Sequence, residues 1–192
     1  IFTKNTTDDE WDGGAIAVCK NSSGKVVING GEISENHAGW GAAFYQDILG
    51  GSKVATIYAN DVLIKDNSSA GSGAIWANGV TELTRCVLDG NTAGGTGTSD
   101  ATALVVAKGA NMSLYGCSVE NHYADGNANT IIIRDNASLY IGADSYGNRS
   151  LIKGNTAKFG GAIRVIHDKN KTSTSTLDVE ATTFEGNTGQ YG

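Results

Sequence analysis

The sequence predicts an all-β fold: a right-handed, single-stranded parallel β-helix of about six coils of about 30 residues, with three short strands in each coil. Three observations carry this. An apolar-x-x-Asn marker recurs along the whole chain, a Gly/Ala corner follows it, and short alternating stretches lie between the two.

The first marker reads Phe2 to Asn5, Ile33 to Asn36, Ile64 to Asn67, Leu88 to Asn91, Ile152 to Asn155 and Phe184 to Asn187. One copy is irregular. In Cys117-Ser118-Val119-Glu120-Asn121 the spacing before Asn is one residue shorter, so Val119 takes the apolar place and Asn121 the marker place. The intervals are then 31, 31, 24, 30, 34 and 32 residues. Thr6, His37, Ser68, Thr92, His122, Thr156 and Thr188 follow the seven Asn residues and read as one column of turn positions. A turn amide both donates and accepts, so stacked Asn5, Asn36, Asn67, Asn91, Asn121, Asn155 and Asn187 are expected to form a ladder that satisfies backbone groups left open by the bend.

The second marker is Gly13-Gly14-Ala15-Ile16, Gly41-Ala42-Ala43-Phe44, Ser72-Gly73-Ala74-Ile75 and Gly160-Gly161-Ala162-Ile163, with a degraded copy at Asp100 to Leu104 and only Asn129-Thr130-Ile131-Ile132 in the fifth repeat. Small residues at one place in successive coils indicate a tight corner. The alternating stretches, such as Lys25 to Ile28, Val54 to Tyr58, Val80 to Leu83, Ala110 to Leu114, Ala137 to Ile141 and Thr176 to Val179, supply the middle strand. Two core columns follow: Phe2, Ile33, Ile64, Leu88, Val119, Ile152 and Phe184; and Ile16, Phe44, Ile75, Leu104, Ile132 and Ile163. Cys86 and Cys117 match in adjacent coils, read first as stacked small core residues and second as a vertical disulfide, and Cys19 has no counterpart.

Composition agrees. The 192 residues include 27 Gly, 17 Asn and no Pro, which disfavours a helical bundle and excludes collagen. The formal net charge is -6 with no basic patch, which argues against a nucleic-acid partner. No apolar run is long enough to insert this segment into a bilayer. The chain opens and stops within the repeat, so residues 1–192 are expected to be one β-helix segment cut from a longer solenoid, with open ends prone to end-to-end self-association.

The paired markers, with Gly13 to Ile16 and Gly160 to Ile163 as full copies of the second, resemble the passenger repeats of the chlamydial polymorphic outer membrane proteins. More loosely they are similar to the parallel β-helix repeats of bacterial and archaeal adhesin-like surface proteins. The likeness covers essentially the whole chain, although the first marker often has Ile or Leu in place of Phe. It implies an extracellular, cell-surface or outer-membrane-attached adhesin or passenger stalk whose partner is a host or neighbouring-cell protein or glycan.

Candidate contacts are the aromatics of the longer excursions and corners: Trp11, Trp40, Tyr45, Trp76, Tyr123 and Tyr146, which could stack on sugar or anchor a protein. The excursions are 6–12, 20–24, 46–53, 92–100, 123–129, 142–149 and 167–175. No catalytic residue, metal-ligand set or cofactor motif is read from the sequence. The acidic group Asp8, Asp9, Glu10 and Asp12 reads as a solvated turn before a cation site, and Arg164, His167, Asp168 and Lys169 read as the start of a protrusion. His37 and His122 read as turn residues too far apart to share a metal. Asn-x-Ser/Thr sites include Asn5, Asn21, Asn67, Asn111, Asn148 and Asn170. A carbohydrate-active enzyme of β-helix fold, a polysaccharide lyase or glycoside hydrolase, is the alternative reading and needs convergent carboxylates. An ice-binding or purely structural solenoid is the further alternative.

Overall fold

The computed structural model describes residues 1–19, 23–47, 55–95, 97–124, 126–166 and 174–191. Within them the chain forms three parallel sheets wound as a right-handed β-solenoid of about six turns. Sheet I has eleven strands: Phe2–Thr3, Lys25–Ser34, Thr56–Lys65, Val80–Thr84, Val87–Asp89, Asn111–Tyr115, Ser118–Glu120, Ser138–Gly142, Ser150–Lys153, Thr176–Val179 and Thr182–Glu185. Sheet II has His37–Trp40, Ser68–Ser72, Thr92–Ala93, Tyr123–Ala124, Thr156–Phe159 and Thr188–Tyr191. Sheet III has Ile16–Val18, Phe44–Gln46, Ile75–Ala77, Ala101–Val106, Asn129–Ile133 and Ile163–Val165.

The chain runs from sheet III through sheet I to the Asn marker, then through sheet II to the Gly corner. The middle and Asn-ending stretches therefore belong to one bent sheet. They are continuous in Lys25–Ser34 and Thr56–Lys65, and break in later coils at left-handed residues, Arg85 at φ 50° and Gly116 at φ 61°. Residues after the marker, read from sequence as turns, are instead the strands of sheet II. The corner after sheet II explains its glycines, since Gly41 and Gly73 sit at φ 61° and 74°, where a Cβ is strained.

The first core column has the expected register, Phe2 on Ile33 on Ile64 on Leu88 on Val119 on Ile152 on Phe184. Its five inner members are buried, while Phe2 and Phe184 are exposed. The second column needs one correction. Ile131, not Ile132, pairs with Leu104 and Ile163. The preceding loop sets that strand one residue out of the expected phase, so Ile132 points to the opposite face.

The marker column also needs a correction. Asn36 Oδ1 accepts from the backbone N and Nδ2 of Asn5 at 3.0 and 2.8 Å, Asn67 Oδ1 from those of Asn36 at 3.1 and 2.8 Å, and Asn91 Oδ1 from those of Asn67 at 2.9 and 2.9 Å. Asn187 Oδ1 serves Asn155 at 3.2 and 2.8 Å. The Nδ2 groups of Asn36, Asn67, Asn91, Asn155 and Asn187 also donate to the carbonyls of Phe2, Ile33, Ile64, Val119 and Ile152 respectively.

Asn121 is not in this ladder. Pairing of Leu88 with Val119 puts Asn121 beside Gly90, and Asn121 has φ 57° where Gly90 has 59°. Lys4, Glu35, Asp66, Gly154 and Gly186 fill the same left-handed place, one residue before each rung. Asn tolerates that conformation, so it stands where glycine usually does, with its Nδ2 on Asp89 Oδ1 at 2.9 Å. His122 is the rung, and Tyr123, not His122, pairs with Thr92 and Thr156 in the following column.

Cys86 and Cys117 are buried free thiols. Cys86 N donates to Cys117 Sγ at 3.4 Å, and Cys117 N to Ser150 Oγ at 3.1 Å. Their thiols donate to Ala59 O and Leu83 O at the bend in sheet I. Thr182 Oγ1 donates to the matching Ile141 O, which also accepts from Glu180 N. The pair therefore forms polar rungs at the bend as well as core filling.

Candidate functional site

The lateral faces carry the chemistry, and each sheet presents a different surface. Alternate residues along a strand point outward, so in-register stacking turns one outward position into a column along the rod.

The outer face of sheet III is mostly covered. Ala101, Val105, Ala107 and Ile132 form a buried cluster there, with Trp76 and Ile166 packed on it. The Arg134 guanidinium lies 4.6 Å from the centre of the Trp76 ring and donates to Ser99 O, and Arg164 donates to Thr98 O at 2.9 Å. These two arginines hold the 98–100 segment against the sheet. Tyr45 lies 6.2 Å from Trp76, and its phenol is pushed up first by burial and then by its hydrogen bond to Asp12. Burial likewise pushes the Asp12 carboxyl above the usual range. Of the sequence-selected aromatics, Tyr45 and Trp76 thus serve packing on this face.

Sheet II presents the column Thr6, His37, Ser68, Thr92, Tyr123, Thr156 and Thr188. At one end His37 joins two groups: Nε2 lies 2.7 Å from Asp9 Oδ1, and Nδ1 2.8 Å from Ser68 Oγ. The sequence reading stacks His37 and Ser68 in one column but leaves Asp9 in a solvated turn, because nothing local shows that this turn folds back onto the next coil. The chain of carboxylate, imidazole and hydroxyl has the order of a nucleophile relay, but the Ser68 N–H is given to Asn36 O at 2.9 Å and is not free to stabilise an oxyanion. Its structural effect is to tie the Asp8–Trp11 turn onto sheet II. Trp11 is 67% exposed on that turn and Tyr123 is 56% exposed further along. Trp40 lies over Gly71, where a Cβ would come 2.6 Å from its Nε1. Tyr123, Thr156, Lys158, Thr188 and Gln190 line a shallow groove of about 480 Å³.

The first half of sheet I is broad and polar. One outward column reads Val27, Tyr58, Glu82, Ser113, Tyr140 and Asp178, and the next reads Asn29, Asn60, Thr84, Tyr115 and Gly142. Tyr115 and Tyr140 are 5.3 Å apart, and Lys25 Nζ lies 4.6 Å from the Tyr58 ring centre. Sequence inspection passed over these tyrosines because they sit inside strands, not in excursions; their outward phase in the alternating pattern was the available signal.

At the edge of this face Glu82, Thr84, Tyr115 and Asp144 line a depression of about 400 Å³. Two carboxylates in one depression raise the question of acid–base chemistry. Asp144 answers it. Its side chain has no exposed surface and accepts from the N–H groups of Tyr146 and Asn148 at 2.9 and 2.8 Å and from Asn148 Nδ2 at 2.8 Å, with Arg85 Nη1 3.6 Å away. Burial opposes its charge, but the Asn148 and Tyr146 donors and Arg85 together outweigh it and hold its pKa below the usual carboxylate value. A carboxylate so held is favoured in its ionised form. Arg85 is itself paired in two places with Asp61, at 2.7 and 2.8 Å, and its guanidinium lies 5.5 Å from the ring of Tyr146, which is 81% exposed.

Among the described residues no group of three or more His, Cys, Asp or Glu side chains could hold a metal ion. His167, Asp168, Lys169, Asn21 and Asn170 lie outside the described residues, as do most of the 20–24, 46–53 and 167–175 excursions. Asn5 and Asn67 have their amides committed to the ladder, so two of the Asn-x-Ser/Thr sites are structural. Comparison with protein-family models, with curated proteins and with solved structures found no match. The fold therefore defines the class: a structurally repetitive parallel β-solenoid of the architecture that adhesin-like passengers use.

Proposed function

We propose that this chain is a non-enzymatic segment of an extracellular surface protein, an elongated adhesin or passenger stalk that binds a host or neighbouring-cell protein or glycan through its lateral faces. One observation carries the reading: the interior is a continuous core, while the outer columns hold aromatics beside hydroxyl and amide groups, half-buried tyrosines on sheet I and the exposed Trp40 and Tyr123 on sheet II. Such a surface suits recognition. Glu82 and Asp144 share a depression, and the donors of Tyr146 and Asn148 that hold Asp144 argue against an acid–base pair there. The test is a binding screen of the 192-residue chain against arrays of cell-surface glycans and of extracted surface proteins. Saturable binding to either class is expected. Failure to bind both, with turnover of a polysaccharide substrate, would replace the stalk reading with the enzyme.

A further inference from the structure

We infer that the outer face of sheet I is a binding site for a linear, uncharged polysaccharide lying along the solenoid axis. This rests on the reading that the solenoid works by binding, and adds the face and the ligand class.

A Cβ at Gly142 would fall 2.7 Å from Tyr140 Cζ, so the phenol end of Tyr140 leans along its own strand over the glycine, with the side chain half-buried. The phenol is fixed by donating to Glu180 Oε2 at 3.1 Å, and Tyr115 flanks the ring. A fixed, part-exposed ring is a surface on which the C–H side of a pyranose can stack, with little ordering cost left for binding.

Tyr58 stands three coils away in the same column, about 14 Å at about 4.8 Å per coil. Glu82 and Ser113 occupy the two steps between, and in the next column Asn60 lies beside Tyr58, Thr84 beside Glu82 and Tyr115 beside Ser113. The column therefore reads ring, acceptor, hydroxyl, ring, at a spacing comparable to one sugar unit per coil. That repeat fits an extended chain running along the rod. A globular protein partner would require an apolar centre, which this polar floor does not offer.

Charge selects the sugar. Glu82 and Asp178 stand in the column and Glu180 touches Tyr140, on a chain of net charge -6. These three carboxylates outnumber the Lys25 ammonium that lies 4.6 Å from the Tyr58 ring centre, so uronates and sulfated sugars are disfavoured, whereas neutral hydroxyls can donate to the carboxylates.

The experiment is calorimetric titration of the chain with hexasaccharides of β-1,4-glucose, β-1,4-mannose, β-1,3-glucose and β-1,4-N-acetylglucosamine, with hexagalacturonate as the acidic control. At least one neutral hexamer is expected to bind and hexagalacturonate to fail. Tyr140→Ala and Tyr58→Ala each weaken binding about tenfold, while Tyr140→Phe, which keeps the ring, binds within about twofold. Trp40→Ala and Tyr123→Ala, on sheet II, leave it unchanged, and melting curves identify any variant that fails to fold. Neutral-glycan binding that follows Trp40 or Tyr123 overturns this site and leaves the stalk reading intact, as does a protein ligand found when no hexamer binds. Equal binding of hexagalacturonate overturns the ligand class. No ligand of either kind overturns both.

Discussion

His122 stands on Asn91 where the ladder calls for asparagine. Its Nδ1 lies 3.0 Å from Asn91 O and its Nε2 3.2 Å from Leu88 O, while its own N–H donates to Asn155 Oδ1 at 3.0 Å. The ring reaches the carbonyls of the previous coil, as an Asn side chain would, but it has no amide oxygen with which to receive the donors of Asn91. The ladder is thus carried through on one side and interrupted on the other. Burial lowers the His122 pKa from 6.5 to about 4, against the pull of the two carbonyls.

That shift makes stability depend on pH. Between about pH 6.5 and 4 the unfolded chain binds a proton at this residue that the folded chain refuses, so acidification favours unfolding. The contribution is fully present above pH 6.5 and is lost as pH falls through 4, a total of about 3 kcal/mol. Denaturant unfolding of wild type and His122→Asn at pH 7 and pH 4.5 measures it. The variant is expected to lose less stability between the two, since an amide does not titrate; equal losses would show that His122 is not the titrating group.

Asn67 and Asn121 separate the two jobs that asparagine does here. Asn67 is buried and its amide meets Asn91 Oδ1 and Ile33 O, so Asn67→Ala leaves buried backbone and side-chain partners unmet and should cost about 1 to 3 kcal/mol. Asn121 is exposed and left-handed, so Asn121→Gly should be neutral or stabilising by a few tenths of a kcal/mol. Equal destabilisation by both changes in urea unfolding would mean that Asn121 belongs to the ladder after all.

The thiol rungs predict tolerance of a hydroxyl. Cys86 and Cys117 donate to Ala59 O and Leu83 O, and Ser150 continues their column. Cys117→Ser should therefore change stability by less than about 1 kcal/mol, whereas Cys117→Val, which has no donor and adds the bulk of a methyl group at a buried site, should cost about 1 to 2 kcal/mol. Thermal unfolding under reducing conditions distinguishes the two; a milder effect from Val would assign these positions to apolar packing alone.

The solenoid, its first core column and most of the rungs were legible in the sequence because each coil repeats the same demand at the same place. Val119 could be aligned because a strand facing a buried column must keep its apolar phase. Asn121 misled because Asn suits both a left-handed turn and a hydrogen-bonding rung, and only the register of Val119 on Leu88 shows which it serves. Ile132 went wrong because three consecutive isoleucines carry no alternation. The candidate site was less legible. Asp9, His37 and Ser68 meet only across coils, and the phenol end of Tyr140 finds its room over Gly142, a residue that in sequence reads as the end of a strand.

The aromatics chosen from sequence divide by what they touch, and their variants should divide likewise. Trp76 packs on the Val105 and Ile132 cluster and under Arg134, so Trp76→Ala removes buried contact and should cost about 2 to 4 kcal/mol. The 98–100 segment, held by the Arg134 and Arg164 side chains, should then show faster amide exchange. Tyr146 projects from the Asp144 turn with 81% of its surface exposed, and Tyr146→Ala should alter stability by less than about 0.5 kcal/mol. Any ligand that Tyr146→Ala releases is therefore lost through contact, while one released by Trp76→Ala is lost through the fold. Binding and melting measurements on both variants separate these cases, and a large stability loss in Tyr146→Ala would place that ring in a structural role.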